Sequence, residues 1–361
     1  PPEEKILRVR LRRDGVLSSG YLVPKEIQPA LIARFKIIGG MDTAENRRPQ
    51  GGRANVSVAT REIGLRFSTL PTAFGESIVV RLLDRGSLSL NFKELGFEPD
   101  LEKSFRATLD RPHGIVLVTG PTGSGKTTTL YTALSLIDGT ENSIFTLEDP
   151  VEYQLPLVRQ TQINETVGLT FAEGLRTLLR QDPDVILVGE TRDTETAQLM
   201  VRASLTGHLV FSSLHTNDAI GAIPRLIDLG VEPYLLAPTL IGVLGQRLVR
   251  RLCPKCRLAV SDAAAKLAVL NVRVASDLPP TLWEAGNCPA CHHTGYRGRS
   301  GIQEFLAVDP SFYPAIVHGV DVPRLQQLAD ERGFRPMFQD GVIKAMRGLT
   351  TLEEVLRVTQ Q

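Results

Sequence analysis

Residues 5–23 form two apolar-polar stretches around Arg13-Asp14-Gly15, with basic residues between the apolar ones in the first stretch. The alternation predicts two short strands joined by an Asp-Gly turn. From Pro24 onward apolar residues recur at helical spacing, which predicts a helix. The residues that carry this spacing are Ile27, Leu31, Phe35 and Ile38.

Further strand patterns complete a small first domain. Residues 39–52 are polar and glycine-rich, which predicts a loop, and residues 53–69 and 76–83 are each predicted to form a strand. Residues 84–100 contain two glycines and a proline and are interpreted as a linker. The pattern predicts an α+β domain over residues 1–98, linker included.

A different pattern begins at residue 101, where short apolar strands alternate with helices. This order predicts a largely parallel sheet with helices on both faces, and so an α/β domain over residues 99–361. Beyond about residue 217 the chain is predicted to be mostly helical. The four predicted strands are Ile115–Thr119, Ile144–Leu147, Val185–Val188 and Leu209–Leu214.

A phosphate-binding loop lies between the first of these strands and a predicted helix. Its sequence matches G-x-x-x-x-G-K-[ST], in which backbone N–H groups surround phosphate oxygens. Lys126 is expected to reach the β- and γ-phosphates, and the hydroxyl of Thr127 suits Mg²⁺. The predicted ATP-binding residues are Gly120, Pro121, Thr122, Gly123, Ser124, Gly125, Lys126, Thr127 and Thr128.

Two acidic residues follow predicted strands at the ends where ligands of open α/β sheets bind. Glu148 lies in the segment TLEDPVEY, and Glu190 follows Gly189 at the end of a second strand. Hydrolysis needs a group that activates water and a group that completes the metal shell. We interpret Glu148 as the better general base and Glu190 as the group that serves Mg²⁺ or its water, although either carboxylate suits the base role.

Two histidines and four cysteines are the remaining candidates for chemistry. His208 and His215 flank one strand, which suggests a γ-phosphate sensor at one of its ends. Two Cys-x-x-Cys pairs fit a four-thiolate zinc site of structural type. Trp283 is expected to pack near this site. The cysteines are Cys253, Cys256, Cys288 and Cys291.

Charge and hydropathy narrow the class of partner. The 361 residues carry 41 basic and 40 acidic side chains, a formal net charge of +1, which argues against a polybasic nucleic-acid or membrane binder. No apolar run approaches the roughly 18 residues that span a bilayer. The chain starts Pro1-Pro2 without methionine, so we expect a further segment upstream.

Several motifs occur in an order that closely resembles the type II secretion ATPases (GspE class), whose sister group is the type IV pilus assembly ATPases (PilB class). The resemblance covers nearly the whole chain. It implies a PAS-like second N-terminal domain at about residues 1–98, followed by a RecA-like ATPase domain with a zinc-binding insertion at about 250–300. The motifs are GPTGSGKTTTLY, TLEDPVEY, LRQDPDVILVGETRD, LTGHLVFSSLHTND and CHHTGYRGRSGI.

The resemblance also implies roles for individual residues. Glu148 corresponds to the catalytic base, Glu190 supports Mg²⁺ and water, and His215 or His208 senses the nucleotide. The segments LRFSTLP and VVRLLDR place the family's arginine fingers at Arg66 and Arg81.

The resemblance implies a hexameric motor that uses ATP, Mg²⁺ and Zn²⁺ to drive pseudopilus assembly in type II secretion. Type IV pilus assembly is the alternative, and a nucleic-acid motor on the same core is a more distant one. The expected partners are the inner-membrane platform and cytoplasmic-domain proteins, without nucleic acid. The expected location is the cytoplasmic face of the bacterial inner membrane, with only peripheral membrane association.

Overall fold

The structure, a computed structural model, describes residues 1–58, 61–84, 90–270, 281–319 and 321–360. The chain divides into two units, Pro1–Ser89 and Leu90–Gln361. Part of the predicted linker is therefore folded within the second unit. Phe92, for example, is fully buried and packs against the rings of Phe97 and Phe105.

The first unit contains a hairpin, a helix and a three-stranded antiparallel sheet. Asp14 and Gly15 have φ angles of 47° and 84°, so the predicted Asp-Gly turn adopts left-handed backbone at both positions. The stretch 53–69, predicted as one strand, belongs to two strands of this sheet. The elements are β1 (Ile6–Arg13), β2 (Val16–Pro24), α1 (Gln28–Ile38), β3 (Gln50–Val58), β4 (Arg61–Thr72) and β5 (Gly75–Asp84).

A buried lysine fixes α1 in this unit. Lys36 is 1% exposed, and its Nζ lies 2.7 Å from a carboxylate oxygen of Glu76 on β5. The same ammonium donates a hydrogen bond of 2.7 Å to the carbonyl of Glu45. A buried charge is costly without partners, and these two contacts supply them while joining the helix to the sheet.

The second unit is built on a seven-stranded sheet in the order β14-β11-β6-β10-β9-β7-β8. All neighbouring strands are parallel except β14, which is antiparallel to β11. The strands are β6 (Gly114–Thr119), β7 (Ile144–Glu148), β8 (Val158–Gln162), β9 (Val185–Val188), β10 (Leu209–Leu214), β11 (Leu240–Leu252) and β14 (Tyr296–Ala307).

Helices cover both faces of this sheet. On β6, Ile115 and Leu117 join one hydrophobic cluster, while Val116 and Val118 join another. A strand buried on both faces reads as a continuous apolar run, which is why the sequence revealed it. The helices preceding the cysteines are α2 (Phe92–Leu95), α3 (Pro99–Leu109), α4 (Lys126–Leu134), α5 (Phe171–Leu178), α6 (Thr194–Leu205), α7 (Ala222–Asp228) and α8 (Pro233–Thr239).

The prediction of a mostly helical chain beyond residue 217 is wrong, because β11 and β14 are the two longest strands of the large sheet. The apolar pattern of β11 is interrupted by Gly242, Gly245 and Gln246, which are buried through tertiary contacts. The elements of this region not yet named are β12 (Leu258–Ala259), α9 (Ala263–Val269), β13 (Trp283–Glu284), α10 (Tyr313–Val317), α11 (Val322–Glu331), α12 (Met337–Met346) and α13 (Leu352–Thr359).

In the part of the chain that the structure describes, none of the helices has the length and apolar character needed to cross a membrane.

Candidate functional site: a phosphate loop at the edge of a parallel sheet

The phosphate loop connects the end of β6 at Thr119 to the start of α4 at Lys126. Three of its residues have backbone angles that favour glycine, with φ of 145° at Gly120, 80° at Gly123 and 90° at Gly125. These angles allow the tight curl that directs backbone N–H groups toward a common centre at the N-terminus of α4. The predicted placement of the loop between a strand and a helix is present in the structure.

Lys126 lies half-buried in this loop. Its Nζ donates hydrogen bonds of 2.8 Å to the carbonyl of Gly120 and 3.2 Å to that of Pro121. Burial lowers the pKa of Lys126 to about 8, and the negative charge of Glu190 opposes this shift. The negative charge of a bound phosphate would stabilise the charged form of this ammonium and so oppose the lowering of its pKa.

Glu190 and His215 face each other at the same edge of the sheet. Nε2 of His215 lies 3.7 Å from one carboxylate oxygen of Glu190, and Nη2 of Arg192 lies 2.5 Å from the other. The pKa of His215 is lowered, first by burial and then by the charge of Lys126, while Glu190 opposes the shift. The lowered pKa favours the neutral imidazole, in which one ring nitrogen donates a hydrogen bond and the other accepts one.

The two histidines lie at opposite ends of β10, and so on opposite sides of the sheet along the strand direction. His208 precedes Leu209, which pairs with Gly114 at the start of β6, whereas His215 follows the last residue of β10, which pairs with Thr119. Nδ1 of His208 lies 2.7 Å from the carbonyl oxygen of Ala203. This placement argues against the sensor role predicted for His208 at the phosphate loop of its own chain and leaves His215 as the candidate.

Glu148 ends β7 and is 3% exposed. Its carboxylate accepts hydrogen bonds from the hydroxyl of Tyr131 on α4, from Oγ1 of Thr146 at 2.5 Å and from Nε2 of Gln160 at 3.1 Å. The side chain is thus tied to the helix that begins at the phosphate loop. Glu152, in the same acidic segment, is half-buried, and no hydrogen bond to its carboxylate is recorded from the residues that the structure describes.

Two hydroxyl groups of the loop are placed differently. Ser124 is 3% exposed, and its buried Oγ has no hydrogen-bond partner among the described residues. Thr127 is exposed in the first turn of α4, next to Lys126, and Thr128 is half-buried. The hydroxyl of Ser124 is available to a phosphate oxygen, and the hydroxyl of Thr127 is available as a hard ligand for a cation.

Arg66 and Arg81 belong to the first unit and are partners in the register of β4 and β5. Both side chains are exposed, and no ion pair with a described residue is recorded for either. Arg53 on β3 is the register partner of Arg66, so three arginines form one row across the sheet. The sequence pattern did not reveal this third arginine.

The four cysteines come together as predicted, with their sulfur atoms all within 4.8 Å of one another. The distances are 3.8 Å for Cys253–Cys288, 3.8 Å for Cys256–Cys291 and 3.6 Å for Cys288–Cys291. Zn–S bonds of about 2.3 Å at tetrahedral angles separate sulfurs by about 3.8 Å. The cluster is therefore compatible with zinc. Nε1 of Trp283, near these cysteines in the chain, donates to the carbonyl of Met346 at 3.3 Å.

Several residues around the loop were missed at the sequence level. Tyr131 and Gln160 contact Glu148 of the acidic segment, and Gln246 contacts the loop. Gln160 lies between Arg159 and Thr161, so its neighbours in the sequence give no sign of its role. The available signal is at Gln246, a polar residue in the mostly apolar stretch 240–249.

A parallel sheet with this loop at its carboxyl edge, next to a lysine, a glutamate and a neutral histidine, defines a P-loop ATPase. The sequence matches the family described as "Type II/IV secretion system protein" over residues 1–357. The chain belongs to this family, and the predicted resemblance and the α/β fold class are confirmed.

Relatives extend over almost all of the chain. It is 50% identical over 363 residues to the type II secretion system protein E of Klebsiella pneumoniae, covering 99% of this chain and 71% of that protein. It is 45% identical over 358 residues to the type IV pilus assembly ATPase PilB of Thermus thermophilus, covering 99% of this chain and 40% of that protein.

Solved structures share the fold. The Legionella pneumophila ATPase DotB superposes with a TM-score of 0.70 at 18% identity, covering 99% of this chain and 91% of that one. The pilus retraction motor PilT with bound ADP gives a TM-score of 0.65 at 26% identity, covering 99% and 94%.

The lowered pKa of Lys126 predicts that nucleotide binding takes up protons. A bound phosphate favours the charged ammonium, so ADP binding at about pH 8 should take up about half a proton, and the affinity should fall as the pH rises further. Calorimetric titrations in buffers of different ionisation enthalpy measure this uptake. Lys126→Arg, whose guanidinium stays charged, should show none. Zero uptake by the unmodified protein, with constant affinity from about pH 7 to about pH 9, would contradict the assignment.

Proposed function

We propose that this chain is the ATPase motor of a type II secretion system and that it works as a ring hexamer on the cytoplasmic face of the bacterial inner membrane. The observation that carries the proposal is the Lys126, Glu190 and His215 cluster beside the phosphate loop. A further support is that this chain is 50% identical to a type II secretion system protein E. Type IV pilus assembly is the alternative, supported by the relative PilB at 45% identity.

In the proposed site, the phosphate loop binds ATP, and Glu190 and His215, which follow β9 and β10, lie beside its γ-phosphate. Lys126 exchanges its two carbonyl partners for phosphate oxygens, and the hydroxyl of Ser124 gains the acceptor that it lacks among the described residues. Thr127 and Glu190 are the groups that would hold Mg²⁺, which supplies charge neutralisation during phosphoryl transfer. His215, whose lowered pKa favours the neutral imidazole, senses the γ-phosphate through a hydrogen bond.

The acidic segment supplies the group that activates water in this proposal. Glu148 is the base predicted from the sequence, and its contact with Tyr131 connects it to the helix of the phosphate loop. A carboxylate has about four acceptor positions, and the three donors leave one of them, on Oε2 of Glu148, to accept a proton from water. Glu152 is the competitor that the structure raises, because its carboxylate is not held by described donors.

Replacing each glutamate by glutamine separates these roles. Glu148→Gln is expected to keep ATP affinity and to lower kcat by about 10²- to 10⁴-fold, the usual contribution of a general base. Steady-state turnover and equilibrium binding of an ATP analogue measure the two effects, with Glu152→Gln and Glu190→Gln in parallel. Near-normal turnover of Glu148→Gln beside an inactive Glu152→Gln or Glu190→Gln would transfer the base role to that residue.

Arg66 and Arg81 are proposed as arginine fingers. Charge spreads over the γ-phosphoryl oxygens in the transition state, and a guanidinium stabilises it strongly in a site that excludes water. The support is the exposure of both guanidinium groups on one sheet, without a recorded ion pair to a described residue.

Alanine variants test this proposal. Arg66→Ala and Arg81→Ala should each lower kcat by at least about tenfold, with little change in ADP affinity, because the interaction forms in the transition state. Arg47→Ala is the matched control, since the side chain of Arg47 is 86% exposed in the same unit. Equal kcat values for all three variants would contradict the finger role.

We also propose that the four cysteines hold a structural zinc ion, because four thiolates leave no open position for substrate. Cys288→Ser should release the metal and lower the thermal stability of residues 250–300, while ADP affinity stays near normal. Elemental analysis of protein prepared without chelator measures the zinc content. A metal-free unmodified protein would refute the site.

The class of motor is tested by what stimulates ATP turnover. We expect vesicles of acidic phospholipid, together with the inner-membrane platform protein, to raise the turnover of the purified chain, and single-stranded DNA to have no effect. Lys126→Ala is the control that removes basal turnover. Strong stimulation by single-stranded DNA, with none by vesicles or the platform protein, would favour a nucleic-acid motor and overturn the proposal.

A further inference from the structure

Strand β11 lies beside β6 and passes directly behind the phosphate loop. Its residue Gln246 is 1% exposed, and both ends of its side-chain amide are used. Nε2 donates a hydrogen bond of 2.7 Å to the carbonyl of Ser124, and Oε1 accepts one of 2.7 Å from the hydroxyl of Thr129. The amide thus bridges the phosphate loop and the first turns of α4.

The same residue is packed against two glycines of the loop. A Cβ atom added at Gly120 would lie 2.3 Å from the carbonyl oxygen of Gln246, and one added at Gly125 would lie 2.8 Å from its Nε2. Both distances are below van der Waals contact. The loop backbone therefore rests on Gln246 without room for an intervening side chain or water.

We propose that Gln246 is a positioning residue that holds the phosphate loop in its nucleotide-binding shape. The amide supplies a donor and an acceptor at fixed spacing, so it sets the position of Ser124 relative to Thr129 on α4. A loop held in this way has less freedom to lose when a phosphate binds, and preorganisation of this kind increases affinity. Gln246 itself does not touch the phosphate in this proposal.

The sheet offers a matched control at the same level. Gln303 on β14 is the register partner of Gln246 and is fully buried. Its amide points to other groups, since Oε1 accepts from Nζ of Lys344 at 2.8 Å and Nε2 donates to the carbonyl of Leu95 at 3.1 Å. A methionine has nearly the shape of glutamine, so Gln→Met at either position removes hydrogen bonds without opening a large cavity.

The experiment compares Gln246→Met and Gln303→Met in the full chain, by the Kd of ADP, the KM of ATP and kcat. Gln246→Met is expected to raise Kd and KM about tenfold, a loss in the range of one to two buried hydrogen bonds, while kcat at saturating ATP changes less than about twofold. Gln303→Met is expected to lower thermal stability but to leave Kd unchanged.

A second pair of variants keeps the inference testable if Gln246→Met fails to fold. Thr129→Val removes the hydroxyl that donates to Gln246 at nearly constant volume, and Thr129→Ser keeps it. We expect Thr129→Val to weaken ADP binding and Thr129→Ser to restore it. Unchanged Kd in Gln246→Met or Thr129→Val would overturn the inference, as would an equal loss in Gln303→Met, which would indicate general destabilisation.

The inference rests on the proposed nucleotide-binding function, and the two fail in different ways. If the unmodified chain does not bind ADP, the proposed function fails. If the unmodified chain binds ADP and Gln246→Met binds it equally well, only the positioning role fails.

Discussion

The close contact between the phosphate loop and strand β11 is the constraint on which the site depends. Gly120 and Gly125 allow this contact because neither has a side chain to separate the loop from Gln246. The hydrogen bonds of Gln246 then join the loop to α4. The glycines of the motif therefore have two functions, since they permit both the left-handed backbone and the packing behind it.

The parallel sheet explains why the other groups meet near this loop. Strands β6, β9 and β10 are neighbours and run in the same direction, so the residues that follow them lie at one edge. Lys126, Glu190 and His215 come from these three connections. Burial there lowers the pKa values of both Lys126 and His215, which leaves a lysine and a neutral imidazole ready to respond to a phosphate.

Much of this arrangement could be predicted from the sequence, because its signals are local. The phosphate-loop motif, the buried strand before it and the paired Cys-x-x-Cys spacing each lie within a few residues. The long strands β11 and β14 could not be found in this way. Gln246 and Arg247 are buried on β11. The free-energy cost of burying these polar side chains is offset by hydrogen bonds to partners more than 100 residues away in sequence. The sequence already separates His208 and His215, which flank one strand, and the register of β10 with β6 shows that His215 lies at the phosphate-loop end.

The most direct test is a structure of this chain with Mg²⁺ and a non-hydrolysable ATP analogue. We expect Nζ of Lys126 to leave the carbonyls of Gly120 and Pro121 and to bind phosphate oxygens, while the amide of Gln246 keeps its bonds to Ser124 and Thr129. A nucleotide bound elsewhere, or a Lys126 that keeps both carbonyl partners with the nucleotide in the loop, would contradict the proposed site.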